Sequence, residues 1–153
     1  VTVRVRDKGA NELLTTLNRA RRGEPWSVEV GVIGNKASRE KGEGVTVADV
    51  ATWAELGLGQ PKRSWLRGFI DEAEKKIQKR ISKEMRAVVS GDRSPRQAMR
   101  RIGVWLVGEI QERISNKIPP PNAPSTVKAK GSSVPLIDTG QLRSSISSRV
   151  KNV

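Results

Sequence analysis

Val88-Val89-Ser90-Gly91-Asp92-Arg93-Ser94-Pro95-Arg96-Gln97-Ala98 decides the fold, because it joins one helix end to one helix start with almost nothing between them. Ser94 can cap, Pro95 suits the first helical position, and Gln97 can reach back to the cap amide. Upstream, Leu66, Phe69, Ile70, Ala73, Ile77, Ile81, Met85 and Val88 recur at three- and four-residue spacing. That spacing predicts a helix from Ser64 or Trp65 to Val89, ended by Gly91. At 1.5 Å per residue, about 24 residues extend roughly 36 Å. Downstream, Ala98, Ile102, Trp105, Leu106, Ile110 and Ile114 carry a second helix to about Lys117. So short a link predicts that the two pack antiparallel as a helical hairpin.

Working outward, the two ends of the chain read as strands. Val1, Val3 and Val5 alternate with Thr2, Arg4 and Arg6, and Trp26, Val28, Val30 and Val32 share one face of a strand from Trp26 to Ile33. Ile146 to Val153 alternates roughly and would join them in a sheet. Polar residues on the opposite face argue for an antiparallel sheet covered on one side. Ala10, Leu13, Leu14 and Leu17 predict a helix from about Ala10 to Arg22, stopped by Gly23 and Pro25. Residues 34–44, rich in Gly, Lys, Ser and Asn, are expected to form a mobile loop or hairpin tip. Thr46 with Asp49 resembles a capping box for a short helix through Leu56, stopped by Gly57. Asp138-Thr139-Gly140-Gln141 looks like a further cap, opening a single turn through Leu142. The expectation is one α+β domain over residues 1–153: a small antiparallel sheet packed by a long two-helix hairpin and shorter helices, with extended loops.

Hydrophobic residues make up 35% of the chain and aromatics 3%. The core must therefore be built from Val, Ile, Leu and Ala. Trp53 and Trp105 fall within apolar stripes and read as core. Trp65, between Arg63 and Arg67, suits either an interface or a staple of the helix onto the sheet. There is no cysteine and no histidine, which removes disulfides, thiolate chemistry, His-based metal sites and His general bases. The first residues do not read as a secretory leader, and no apolar run approaches the roughly 18 residues of a membrane span.

The net charge of +13 predicts attraction to something acidic. Between Lys62 and Arg101 stand thirteen Lys or Arg and five acids. These could meet phosphates, or form a solvated face on which Glu72, Glu74 and Glu84 pair locally with lysines. No helix-turn-helix, zinc finger or aromatic RNA platform accompanies them. Gly31-Val32-Ile33-Gly34 and Gly140 lack any phosphate-binding fingerprint and read as turn glycines. Asp71 and Glu74 share a helix face beside Lys75 and Lys76, as surface ion-pair partners would. No nucleophile, base and orienting group assemble, and Ser82-Lys83 are adjacent on a helix and point apart. Neither catalytic residues nor a cofactor or metal site is expected, nor a small-molecule substrate or a membrane partner.

The remaining segment holds four prolines in six residues, Pro119-Pro120-Pro121-Asn122-Ala123-Pro124, then Ser125-Thr126, Lys130-Gly131 and Pro135-Leu136-Ile137-Asp138-Thr139-Gly140-Gln141-Leu142. So many missing backbone donors predict an extended, stiff loop over about residues 118–138. A stiff loop loses little entropy on docking. The order Pro-Pro-Asn-x-Pro-x-Thr, Lys-Gly, Pro-Leu-x-Asp-Thr-Gly-x-Leu resembles the neck or tail-completion proteins of tailed bacteriophages, which include phage virion morphogenesis and minor tail components. A second block agrees with it: Glu55-Leu56-Gly57-Leu58-Gly59-Gln60-Pro61-Lys62-Arg63-Ser64-Trp65-Leu66-Arg67. In that family an aromatic is common where Leu56 stands, Thr at Leu58, Pro at Ser64 and Phe at Trp65.

The resemblance implies a structural virion protein, made in the host bacterial cytoplasm and located in the neck or tail. It would form a sixfold or twelvefold homo-oligomeric ring joining the portal or adaptor side of the capsid to tail-terminator or tail-tube proteins, near packaged DNA. Interface candidates on the matching motifs are Arg63, Trp65, Arg67, Pro120, Asn122, Pro124, Thr126, Lys130, Asp138, Thr139, Gly140 and Leu142. The alternatives are a basic nucleic-acid-binding protein and a tail assembly factor absent from the mature particle.

Overall fold

The structure is a computed structural model that describes residues 25–34, 40–42, 44–116 and 118–152. In chain order the elements are β1 (Trp26–Val32), β2 (Glu40–Gly42), β3 (Val45–Thr46), α1 (Val47–Leu56), α2 (Arg67–Val89), α3 (Pro95–Ser115), α4 (Pro124–Lys130), α5 (Gln141–Ser145) and β4 (Ile146–Asn152). The class is α+β: among the described residues, five helices include a long pair, α2 and α3, packed with a two-stranded antiparallel sheet. The expected strand at residues 1–6 and helix at 10–22 lie outside the described residues. So do positions 35–39 and 43 of the expected loop, whose described remainder includes β2, paired antiparallel with β3 just beyond the loop.

Both capping boxes form. Thr46 Oγ1 accepts from Asp49 N at 3.2 Å while Thr46 N donates to the Asp49 carboxylate at 2.9 Å. Ser94 and Gln97 exchange the equivalent bonds at the start of α3. In α1 the buried residues are Val47, Ala51 and Ala54, one face at helical spacing. Trp53 lies off that face and is 38% exposed, which corrects the expectation that it belongs to the core.

The hairpin is antiparallel, as its side chains record. Arg113 meets Glu72, Glu109 meets Lys76, Trp105 lies under Lys76 and Arg80, and Arg101 reaches Glu84. Each step of four along α2 is matched by four back along α3. Glu84 is fully buried, with Arg93 at 2.6 Å, Arg80 at 3.3 Å and Arg101 at 3.5 Å. A carboxylate that deep needs such partners to offset its lost hydration. Because Arg93 comes from the connecting turn, Glu84 ties that turn to both helices. Local pairing with lysines is therefore corrected: Glu72 and Glu84 pair with arginines, and Glu74 accepts from Gln78 at 3.0 Å.

β1 and β4 pair antiparallel from Trp26 opposite Asn152 to Val32 opposite Ile146. On the polar face Glu29 meets Arg149 at 2.9 Å and also Lys151. The other face lies against α3. A Cβ at Gly103 would stand 2.8 Å from Val28 Cγ2 and 2.9 Å from Ser148 Cβ, so the helix backbone rests directly on the strands. Gly31 is not a turn glycine but lies inside β1, opposite Ser147. The core continues from the sheet through Ile146, Ile110, Ile114 and Phe69 to α1.

Two further corrections concern the last third. The proline segment is not extended throughout, because Pro124 occupies the first turn of α4, where a missing N–H costs nothing. Asp138 and Thr139 do not cap α5; Gly140, at φ 73°, precedes it with no side-chain cap bond.

Two glycines of α3 test the helix–sheet contact. Gly103→Ala should lower stability by about 1–2 kcal/mol, since overpacking outweighs the gain in helix propensity. Gly108→Ala, with open space around it, should raise stability by up to about 1 kcal/mol. Urea unfolding of both variants measures the contrast, and equal effects would contradict the close approach.

Candidate functional site

The second motif block is a compact turn. Gly57 takes φ 79°, and a Cβ there would lie 2.8 Å from Lys62 Cβ, so the chain folds back tightly. Arg63 N then donates to Ala54 O at 2.8 Å. Trp65 is buried, 4% exposed, and its Nε1 donates to Ala51 O at 3.0 Å. Its ring staples this turn to α1 inside the chain.

Glu55 caps the next helix from a distance. Its carboxylate accepts from Ser64 Oγ at 2.6 Å, Leu66 N at 2.9 Å and Arg67 N at 3.2 Å, while Ser64 Oγ accepts from Gly68 N at 3.0 Å. Four groups at the start of α2 are thereby satisfied, and a negative charge sits at a helix N-terminus, where it is favoured. This explains why α2 begins at Arg67 rather than at Ser64 or Trp65. Burial pushes the Glu55 carboxyl up, but these hydrogen bonds outweigh it and hold the group below its ordinary value.

Arg63 joins the two motif blocks. It is 5% exposed. Nε donates to Pro120 O at 3.0 Å, and Nη2 donates to Pro121 O at 3.4 Å and Asn122 Oδ1 at 3.2 Å. Proline carbonyls have no donors of their own beside them, so the guanidinium supplies what the segment lacks. Burial pushes the Arg63 guanidinium below its ordinary value. Further on, Gly131 ends α4 in the left-handed region at φ 66°, and Lys130 Nζ donates to Pro135 O at 2.9 Å. The segment is held at both ends of its short helix.

Between these pieces lies an open cavity of about 650 Å³. Seven interface candidates line it: Arg63, Pro120, Asn122, Thr126, Lys130, Asp138 and Leu142. Thr139 and Gly140 border a small adjoining hollow with Leu136 and Asp138. Trp65 lies in the core, Arg67 is exposed at the start of α2, and Pro124 is exposed on α4. The sequence reading missed the cavity's other wall, formed by Val50, Ala54, Gln60, Pro61 and Leu136. It also missed Glu55, whose role depends on a turn that only the folded chain closes. Leu56 and Leu58, beside Trp53 in the chain, are 59% and 51% exposed. Among the described residues no cluster of three or more acids is placed to hold a metal ion, and no helix is long and apolar enough to cross a membrane.

The Glu55 cap has a pH signature. Because its folded pKa lies below the unfolded value, its contribution is full above about pH 4.5 and is lost as pH falls through the folded value. Glu55→Gln should therefore cost about 1–2 kcal/mol near pH 7, with the difference from the parent shrinking toward pH 3. Urea unfolding across that range checks it, and a difference independent of pH would contradict it. No protein-family model, curated protein or solved structure matches this chain.

Proposed function

We propose that this chain is a structural protein of the bacteriophage neck, forming an oligomeric ring that joins the portal or adaptor side of the capsid to the tail. The observation that carries this reading is the meeting of its two motif blocks at Arg63. Residues 55–67 and 119–142, which bear the resemblance to neck and tail-completion proteins, pack as one unit around a buried guanidinium. A stiffened segment held ready on a folded support suits docking, because little order remains to be gained on binding. The hairpin supports the same reading through charge. Lys75, Lys79, Lys83, Arg86 and Arg100 are exposed on α2 and α3 and would meet acidic neighbours in the particle.

The same exposed cations favour a second reading, binding to nucleic acid through phosphates. That reading requires affinity to fall steeply with salt, by roughly 0.9 log units per log unit of salt for each phosphate neutralised. A third, a tail assembly factor absent from the finished particle, requires the chain to be missing from purified virions.

Negative-stain microscopy of particles made with and without the protein tests the joining role. Full heads without tails, beside loose tails, are expected in its absence. Normal, infectious particles would overturn the proposal.

A further inference from the structure

Arg63 is a buried cation whose partners are all neutral. Two are proline carbonyls and the third is the Asn122 side-chain oxygen. Among the described residues no carboxylate lies within ion-pair distance of it, whereas Glu84, the buried acid of the hairpin, has three arginines. The Arg63 bonds use Nε and Nη2; Nη1 takes no part in them. Beside it, Asn122 Nδ2 is buried and has no hydrogen-bond partner among the described residues. Buried charges and buried amide donors are both costly when left without a matching acceptor.

Both residues line the 650 Å³ cavity, within the usual range of about 300–1,000 Å³ for sites that enclose a ligand. Its remaining wall mixes apolar Val50, Pro61, Pro121 and Leu136 with polar Gln60, Thr126, Lys130 and Asp138, so the lining carries two cations and one carboxylate. An acceptor-only, negatively charged group flanked by apolar atoms would match the Arg63 and Asn122 donors and the apolar part of this wall. A carboxylate has four lone-pair sites and pairs with guanidinium and amide donors in one plane. The chain's net charge of +13 favours an acidic protein as the bearer of that carboxylate.

We propose that the cavity beneath the proline segment seats an aspartate or glutamate side chain, carried on an extended segment of an acidic partner protein, against Arg63 and Asn122. The site is independent of the phage reading: it rests on the donors and the cavity, and its test needs only the purified chain.

The test follows the Arg63 Nε–H and Asn122 Nδ2–H₂ signals by ¹⁵N NMR at constant ionic strength. The probes are sodium acetate, a terminally blocked Ser-Pro-Glu-Leu-Ser peptide, and the same peptide with Gln for Glu. Saturable shifts are expected with acetate and with the Glu peptide, the peptide binding about tenfold more tightly through its flanking apolar contacts, which corresponds to about 1.4 kcal/mol. The Gln peptide should leave both signals in place. No saturable shift with acetate and the Glu peptide would overturn the site. Equal affinities for those two would overturn the protein-borne carboxylate in favour of a small carboxylate ligand, and binding of the Gln peptide would overturn the need for charge.

Asn122→Asp supplies a second, independent readout. It places a carboxylate where Oδ1 already lies 3.2 Å from Arg63 Nη2. Tm should rise by about 4 °C near neutral pH, and acetate should no longer shift the Arg63 signal. A lowered Tm, or acetate binding unchanged, would show that Arg63 does not seek an anion.

Discussion

At Gly103 the backbone of α3 comes so close to β1 and β4 that a single added carbon would collide with Val28 and Ser148. Two strands alone make a ribbon of marginal stability in water. What sustains this one is the helix lying on its apolar face, and only glycine lets the helix lie that close. The contact also joins the two ends of the described chain, since Trp26 and Asn152 are paired across it. From that seat the remaining elements take their places. The other side of α3 holds α2 through Arg113, Glu109 and Arg101. Its C-terminal half provides Ile110 and Ile114, on which α1 and Trp65 close the core.

The candidate site is built on the far end of the same helix pair. Arg113 of α3 donates to Ser64 O as well as to Glu72, so the turn before α2 is tied to the hairpin. That turn presents Arg63, and Arg63 holds the carbonyls of Pro120 and Pro121. The prolines cannot fasten the stretch through N–H groups of their own, so side-chain donors matter more. Arg63 supplies them from outside the segment, and Lys130 adds a bond within it to Pro135 O. The arrangement suits the proposed docking role: the segment is ordered by its own domain, and a partner need not supply that order.

Much of this was legible in local sequence, and the reasons for success and failure are physical. Thr46 with Asp49, and Ser94 with Pro95 and Gln97, announce their helices because a capping box is completed within four residues. The antiparallel hairpin was legible for the same reason, as a short link leaves no other arrangement. The start of α2 was hidden because its cap, Glu55, comes from the preceding helix across a turn. Trp53 left its expected place: helix periodicity put it with the apolar set, yet α1 buries only its Val47, Ala51 and Ala54 face. Trp65 is buried because its indole reaches Ala51 O, a partner fourteen residues away. In the proline segment, counting missing donors overlooked that Pro124 stands where a helix needs none. The grouping of Arg63 with Asn122, Lys130 and Asp138 was visible as motif words, but the cavity between them is a property of packing alone.

Held by Arg63, the proline segment is already in place before any partner arrives. Backbone ¹⁵N relaxation of the isolated chain tests it directly, by comparing residues 118–139 with those of α3. Order parameters near 0.85 in both are predicted, as for a rigid backbone. Values below about 0.6 across the segment, beside a rigid α3, would contradict the account, because Arg63 would then hold nothing in the free protein.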